Sequence, residues 1–84
     1  MTDSPYKIIG ERLEKLRNLL SDLTQKEWAE KHGFAPTQYN NWVKGGRRIS
    51  IDAAIVLCDT YGLTLDYIYR GRVDGVPQTI RVGL

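Results

Sequence analysis

Apolar positions in the first part of the chain recur with the period of a helix. The stripe consists of Ile9, Leu13, Leu16 and Leu20. Their spacing of i, i+4, i+7 and i+11 predicts an amphipathic helix of about three turns. Residues 1 to 7, which precede this stripe, are polar and include a proline, so we expect a flexible N-terminus there.

A second helix has a clearly marked beginning at Thr24. Thr24 and Glu27 have the spacing of a capping box, in which each side chain accepts a hydrogen bond from the backbone N–H of the other residue. Gly33 can adopt the positive φ that ends a helix, and Pro36 can open the next one without losing a needed hydrogen bond. The sequence therefore predicts two short helices, beginning after Thr24 and at Pro36, joined by a tight turn.

The second helix of this pair, over residues 36 to 44, has an apolar face. Successive helical residues are turned by 100°, which places Tyr39, Trp42 and Val43 on one side. The two aromatic rings could be stacking platforms for single-stranded nucleic acid. Because they share a stripe with Val43, we interpret them as core residues instead.

The opposite face of the same helix is polar and carries Thr37, Asn41 and Lys44. In the major groove of DNA an amide can pair with adenine, a methyl group can meet thymine, and an ammonium group can reach guanine or a phosphate. Gln38 and Asn40 flank this face and could reach outer bases or phosphates. We therefore expect base contacts from Thr37, Gln38, Asn41 and Lys44, and a phosphate contact from Asn40.

Two further helices are marked by their caps. Ser50 begins a helix that ends at Gly62, and Thr64 begins a short helix that ends at Gly71. The residues of these two helices that we expect to face inward are Ile51, Ala54, Ile55, Cys58, Tyr61, Leu65 and Ile68.

Residues 72 to 84 form a tail of different character. Ile80, Val82 and Leu84 alternate with polar or small residues, a period of two that predicts a short strand. Because no other segment of the chain reads as a strand, its partner could be the same segment of a second subunit, making the tail a dimerisation arm. The alternative is a mobile tail.

The length and composition favour one small, non-enzymatic domain. Eighty-four residues suffice for a modest core, without a separate ligand-sensing domain. The lone Cys58 excludes an intramolecular disulfide, and with His32 as the single histidine we expect neither a metal site nor a cofactor. We interpret His32 as a partly buried packing residue. The sequence implies no Ser, Cys or carboxylate grouped around it, so we expect no catalytic role. A cytoplasmic location fits this composition, and we expect no signal peptide and no membrane span.

The positive charge is concentrated in one segment, although the chain as a whole carries only +2. Residues 31 to 51 contain four basic residues, Lys31, Lys44, Arg47 and Arg48, and no Asp or Glu. A localised basic patch is the electrostatic footprint of phosphate contacts, which we assign to Arg47 and Arg48. The alternative is an ordinary solvated basic loop.

The spacing of these features resembles a known family. The positions that carry the resemblance are Gln25, Ala29, Gly33, Phe34, Tyr39, Trp42 and Gly45, together with the segment GLTLDYIYRG at residues 62 to 71. They are similar to the lambda-repressor-like (Cro/cI-type, XRE-like) helix-turn-helix DNA-binding family over about residues 8 to 71. Two departures are His32, where the family usually has an aliphatic residue, and Ser21-Asp22, where it usually has a glycine.

The resemblance implies a compact all-α domain of five helices over residues 8 to 71. In that architecture the second helix crosses the DNA backbone while the third enters the major groove. Gln25, in the first turn of the second helix, would then contact a phosphate, and Arg17 would form a structural ion pair. The implied function is a sequence-specific regulator of transcription that binds double-stranded DNA, a repressor acting as a homodimer. The alternative is an antitoxin-like or adaptor protein that acts mainly through a protein partner.

Overall fold

The computed structural model describes residues 5–84, which form six helices and no strand. The helices are α1 (Pro5–Leu20), α2 (Gln25–Lys31), α3 (Pro36–Lys44), α4 (Ile51–Tyr61), α5 (Leu65–Arg70) and α6 (Gln78–Arg81). The predicted all-α fold is confirmed, with the first five helices in the predicted order. None of the helices in residues 5–84 has both the length and the apolar character that crossing a bilayer requires.

Helix α1 buries the apolar stripe that the sequence predicts. Ile9, Leu13 and Leu16 are buried, and Leu20 packs partly buried against the same core. The helix begins at Pro5, so residues 5 to 7 are helical rather than separate from the domain. Proline suits the first turn because its fixed φ already matches a helix. The rest of the expected flexible N-terminus, residues 1 to 4, lies outside the described residues.

The turn between α1 and α2 is closed by the side chain of Ser21. The Ser21 hydroxyl donates to the Arg17 carbonyl at 3.0 Å and accepts from the Leu23 N–H at 3.2 Å. Within residues 5–84, positive φ angles occur only at glycines, so this turn needs no left-handed residue. The serine side chain thus closes the end of α1 by hydrogen bonding.

Helices α1 and α3 cross at a point where only a glycine fits. A Cβ on Gly10 would lie 2.6 Å from the Val43 carbonyl oxygen and would also collide with the Trp42 carbonyl oxygen. These are backbone atoms of α3, which cannot turn aside as a side chain can. Gly10 therefore lets α1 pack closely against one side of α3. The opposite side of α3 is exposed to solvent.

Helix α4 is rotated relative to the inward face that the sequence suggested. Ala54 is buried as expected, but Ile51 and Ile55 are 57% and 40% exposed, whereas Ala53 and Leu57 are buried. The expectation was wrong because the segment AAIVLC is apolar on every side, so its period does not single out one face. The Ser50 cap of α4 is confirmed, since its hydroxyl accepts from the Ala53 N–H.

Helix α5 also presents a face that differs in part from the predicted one. Ile68 is buried as expected, whereas Leu65 is 37% exposed and Tyr67 is buried in its place. The Thr64 cap is confirmed, because its hydroxyl accepts from the Tyr67 N–H at 3.0 Å. A helix of six residues makes fewer than two turns, so its apolar period is weakly defined in the sequence.

The tail forms a short helix, and the predicted strand is wrong. The Ile80 and Arg81 N–H groups donate to the Pro77 carbonyl, which closes the single turn of α6. Val76 and Ile80 are buried, and the Lys15 ammonium donates to the Leu84 carbonyl at 2.9 Å. A strand needs a neighbouring strand for its backbone hydrogen bonds, whereas a helical turn satisfies them locally. The tail therefore packs on its own domain.

Candidate nucleic-acid interface

Helix α2 begins at the predicted capping box. The Glu27 N–H donates to the Thr24 hydroxyl at 3.2 Å, and the Thr24 N–H donates to the Glu27 carboxylate at 3.0 Å. Trp28 and Ala29, in the body of this helix, are buried. The capping box fixes where α2 starts, and the two buried residues fix which side of it faces the core.

A turn of few residues connects α2 to α3. Gly33 has a φ of 81°, and the Phe34 N–H donates to the Ala29 carbonyl at 2.8 Å. Helix α3 then starts after Ala35 with Pro36 in its first turn and no side-chain cap. Because Pro36 carries no N–H and the Ala35 side chain carries no acceptor, no side chain caps the N-terminus of α3.

The apolar face of α3 lies in the core, as predicted. Tyr39 and Trp42 are 0% and 2% exposed, and the Trp42 ring meets Phe34 edge to face with centroids 5.3 Å apart. Rings buried to this extent cannot stack on nucleotide bases, so the single-strand alternative for Tyr39 and Trp42 is wrong. Burial raises the pKa of the Tyr39 phenol well above its ordinary value, which keeps the hydroxyl protonated as a donor.

The polar face of α3 is exposed along its whole length. The exposed side chains are Thr37, Gln38, Asn41 and Lys44. Asn40 is half-buried at the edge of this face. The four residues predicted to contact bases therefore share one accessible surface of one helix. Their contact with DNA stays a prediction, as does the phosphate contact of Asn40.

A basic loop, residues 45–50, follows α3 and is fixed by backbone hydrogen bonds to that helix. Gly45 has a φ of 82°, and the Gly46 and Arg47 N–H groups both donate to the Asn41 carbonyl, at 3.0 and 3.3 Å. The side chains of Arg47 and Arg48 are exposed. Among residues 5–84, no carboxylate lies within ion-pairing distance of either arginine. Both cations are thus available to an external anion next to the exposed face of α3.

Glu14 joins three helices and was not singled out by the sequence. Its carboxylate accepts two hydrogen bonds from Arg17, at 2.9 and 3.0 Å, one from Gln25 at 2.7 Å and one from the Tyr39 hydroxyl at 2.8 Å. Burial alone would raise the pKa of Glu14, but these hydrogen bonds outweigh it and hold the pKa below its ordinary value. The charged carboxylate therefore links α1 to the starts of α2 and α3.

The ion pair expected of Arg17 is observed within this network. The Arg17 guanidinium meets Glu14 through two nitrogen atoms and also donates to the Leu23 carbonyl at 2.6 Å. Gln25 is half-buried, and one of its amide N–H bonds is directed to Glu14. The predicted phosphate contact of Gln25 remains a prediction, and the structure adds that Glu14 fixes the orientation of this amide.

His32 lies between aromatic rings, as a packing residue. Its Nδ1 is 2.7 Å from the Trp28 carbonyl and its Nε2 is 2.7 Å from the Tyr61 hydroxyl. Burial lowers the pKa of His32, and the hydrogen bond to Trp28 offsets this only in part. A neutral imidazole satisfies both contacts, donating to Trp28 and accepting from Tyr61. No group of three or more metal-ligating side chains lies together in the described part of the chain.

Comparison with known proteins identifies the family. The helix-turn-helix family model matches residues 13–68, which is well over half of the chain and extends from the middle of α1 into α5. Comparisons with curated proteins and with solved structures gave no match. The matched region includes the exposed face of α3 and the basic loop after it. The chain belongs to the lambda-repressor-like (XRE-like) helix-turn-helix family, a family of DNA-binding transcription regulators.

Proposed function

We propose that the protein is a sequence-specific transcriptional repressor that binds double-stranded DNA as a homodimer, with α3 in the major groove. The observation that carries this proposal is the division of α3 into two faces. Tyr39 and Trp42 hold one face in the core, while Thr37, Asn41 and Lys44 are exposed on the other. A helix supported from behind in this way can enter a groove without disturbing the core.

The proposed contacts fall into two classes with different roles. Base contacts, which carry sequence information, are assigned to Thr37, Gln38, Asn41 and Lys44. Phosphate contacts, which position the protein and supply nonspecific affinity, are assigned to Gln25, Asn40, Arg47 and Arg48. The basic loop supports this division, because both its arginines are exposed beside the polar face of α3.

The homodimer is proposed because a single α3 helix distinguishes its own DNA site poorly from other sites. A single helix touches a few base pairs, and each mismatch costs only about 1–3 kcal/mol, against a genome of competing sites. Two copies double the number of bases read. Exposed apolar side chains on α4 and α5 suit an interface between two copies of the chain. They include Ile51, Ile55 and Leu65. Repression requires only that the dimer occupy a DNA site that the transcription machinery also needs. We propose that the protein acts in the cytoplasm.

Selection from a random duplex pool tests the proposal. We expect the enriched sequences to contain two half-sites related by a two-fold axis, with centres about one helical turn or a multiple apart. Sedimentation of the protein with a selected duplex should then show two chains per site. A strict one-to-one complex at saturation would rule out the homodimer, and a pool without enrichment would rule out sequence-specific binding.

A second candidate function is an antitoxin-like or adaptor protein that acts mainly through a protein partner. The same exposed apolar side chains of α4 and α5 favour it, since they would suit a partner of another kind equally well. The pool selection separates the two functions, because an adaptor that has lost DNA recognition would enrich no sequence.

A further inference from the structure

The backbone of the basic loop is fixed at both of its ends. At its start, the Asn41 carbonyl accepts hydrogen bonds from the Gly46 and Arg47 N–H groups. At its end, the Ile49 side chain is 1% exposed, and the Ile49 carbonyl accepts from the Tyr69 hydroxyl at 2.7 Å. Arg48 stands between these anchors, so its Cα has a defined position relative to α3.

The side chain of Arg48 is held as well, by two aromatic rings. The Arg48 guanidinium carbon lies 5.8 Å from the ring centroid of Tyr6 and 5.8 Å from that of Tyr69. Both distances are within the range of about 6 Å in which a guanidinium is attracted to a ring. Tyr6 belongs to the first turn of α1 and Tyr69 to α5, so the two rings come from helices that are far apart in the chain. Among residues 5–84, Arg47 has no such ring contact.

An open groove lies directly beside the Arg48 guanidinium. It has a volume of about 430 Å³ and is lined by Tyr6, Tyr69, both arginines of the loop and the start of α4 at Ser50. The two cations of the loop, Arg47 and Arg48, make its surroundings favourable for an anion. If α3 lies in the major groove, the neighbouring loop runs along the DNA backbone, and the anion nearest to it is a phosphodiester.

We propose that Tyr6 and Tyr69 are positioning residues that hold the Arg48 guanidinium at this groove for contact with a phosphate of the DNA backbone. A free arginine side chain samples many rotamers, and ordering them opposes binding. The rings restrict Arg48 before DNA arrives, so less conformational entropy is lost on contact. The inference rests on the proposed DNA binding, and it adds residues from α1 and α5 to the interface.

Substitutions at Tyr6 test this arrangement, because Tyr6 is 37% exposed and is not one of the buried core residues. Replacing the ring in Tyr6→Leu should weaken binding to a selected duplex and to a scrambled duplex by the same factor, roughly two- to fivefold. Tyr6→Phe keeps the ring and should bind as the wild type does. Tyr69→Leu should weaken binding at least as much as Tyr6→Leu, because it also removes the hydroxyl that donates to the Ile49 carbonyl. Thermal unfolding, measured for every variant, shows whether the fold persists.

A double-mutant cycle with Arg48→Ala shows whether the tyrosine acts through the arginine. We expect Tyr6→Leu to have almost no effect on affinity when Arg48 is already alanine. An equal loss in both backgrounds would overturn the inference, since Tyr6 would then act on the DNA directly. A Tyr6→Leu variant that binds like the wild type would overturn it as well. Failure of the wild-type protein to bind any duplex would instead refute the proposed function.

Discussion

Glu14 illustrates how much of the interface depends on residues that do not face outward. Its partners Arg17, Gln25 and Tyr39 are three, eleven and twenty-five positions away in the chain. A polar residue on a predicted helix is ordinarily assigned to the surface, so nothing in the pattern distinguishes Glu14 from Glu11. Only the packing of α3 against α1 and α2 brings these partners together, and this packing is not encoded in local periodicity.

Gly10 is a second residue whose role appears only in three dimensions. We expect Gly10→Ala to lower the free energy of unfolding by about 1–3 kcal/mol, because the new methyl group would collide with the Trp42 and Val43 carbonyls. In an uncrowded helix the same change would stabilise the protein by about 0.5–1 kcal/mol. Urea denaturation of the two proteins measures the difference.

Gly46→Ala is the matched control for Gly10→Ala. At Gly46 the nearest heavy atom to a new Cβ, the Asn41 carbonyl oxygen, is 3.7 Å away, and φ is not positive. We expect its stability to stay within about 0.5 kcal/mol of the wild type. A Gly10→Ala variant as stable as Gly46→Ala would show that α1 and α3 do not meet as closely as described.

His32 should make the protein less stable as the solution is acidified. Burial holds the pKa of His32 below its ordinary value of 6.5, so the unfolded chain takes up a proton that the folded chain resists. The free energy of unfolding should therefore fall as the pH is lowered through about 6.5. Urea midpoints between pH 8 and pH 5.5 measure this, with His32→Gln as the comparison. Parallel pH profiles of the two proteins would contradict the prediction.

At the scale of elements, helix ends were predictable because their signals are local. Thr24 with Glu27, Ser50 and Thr64 all cap the helices that they were expected to cap. Such signals operate within one turn, so the sequence contains the whole interaction. Helix faces were predictable where apolar and polar residues alternate clearly, as in α3. In α4, where Ile51 is exposed and Leu57 buried, apolar residues on all sides left the face undetermined.

The tail shows where a correct observation led to a wrong element. The alternation of Ile80, Val82 and Leu84 is real, but an isolated strand has no hydrogen-bond partner in this chain. Burial of Val76 and Ile80 against the core decided in favour of a helical turn. The strand-mediated dimerisation arm therefore loses its basis, and any contact between copies is expected on another surface.

Ile80→Ala tests whether the tail is part of the domain. Ile80 is 9% exposed, so its truncation should lower the free energy of unfolding by about 2 kcal/mol or more. Val82, two residues further on, is 74% exposed, and Val82→Ala should change stability by less than about 0.5 kcal/mol. Equal effects of the two substitutions in thermal or urea denaturation would mean that the tail does not pack as described.

At the scale of the whole molecule, the charge and the fold point to the same surface. The four basic residues Lys31, Lys44, Arg47 and Arg48 fall in or near the helix-turn-helix, in a segment without any Asp or Glu. The rest of the chain is net negative. Such an asymmetry orients the protein toward DNA before any base is contacted. In the proposed function, reading of the DNA sequence then depends on the exposed side chains of α3.

Asn41→Ala is the substitution best suited to test that reading, because it removes one amide and little else. The Asn41 side chain is exposed, and its backbone carbonyl, which holds Gly46 and Arg47, is retained in the variant. Alanine also favours a helix more than asparagine does. Arg48→Ala is the companion variant, since a lost phosphate contact should weaken all duplexes alike and lower the salt slope by about one unit.

The most direct test is a titration of wild-type protein and Asn41→Ala against a selected duplex and a scrambled duplex at several salt concentrations. We expect Asn41→Ala to lose about 1–3 kcal/mol on the selected duplex, to lose preference at one base pair per half-site, and to bind the scrambled duplex nearly as the wild type does. An equal loss on both duplexes would contradict the account, because α3 would then not be the helix that reads the sequence.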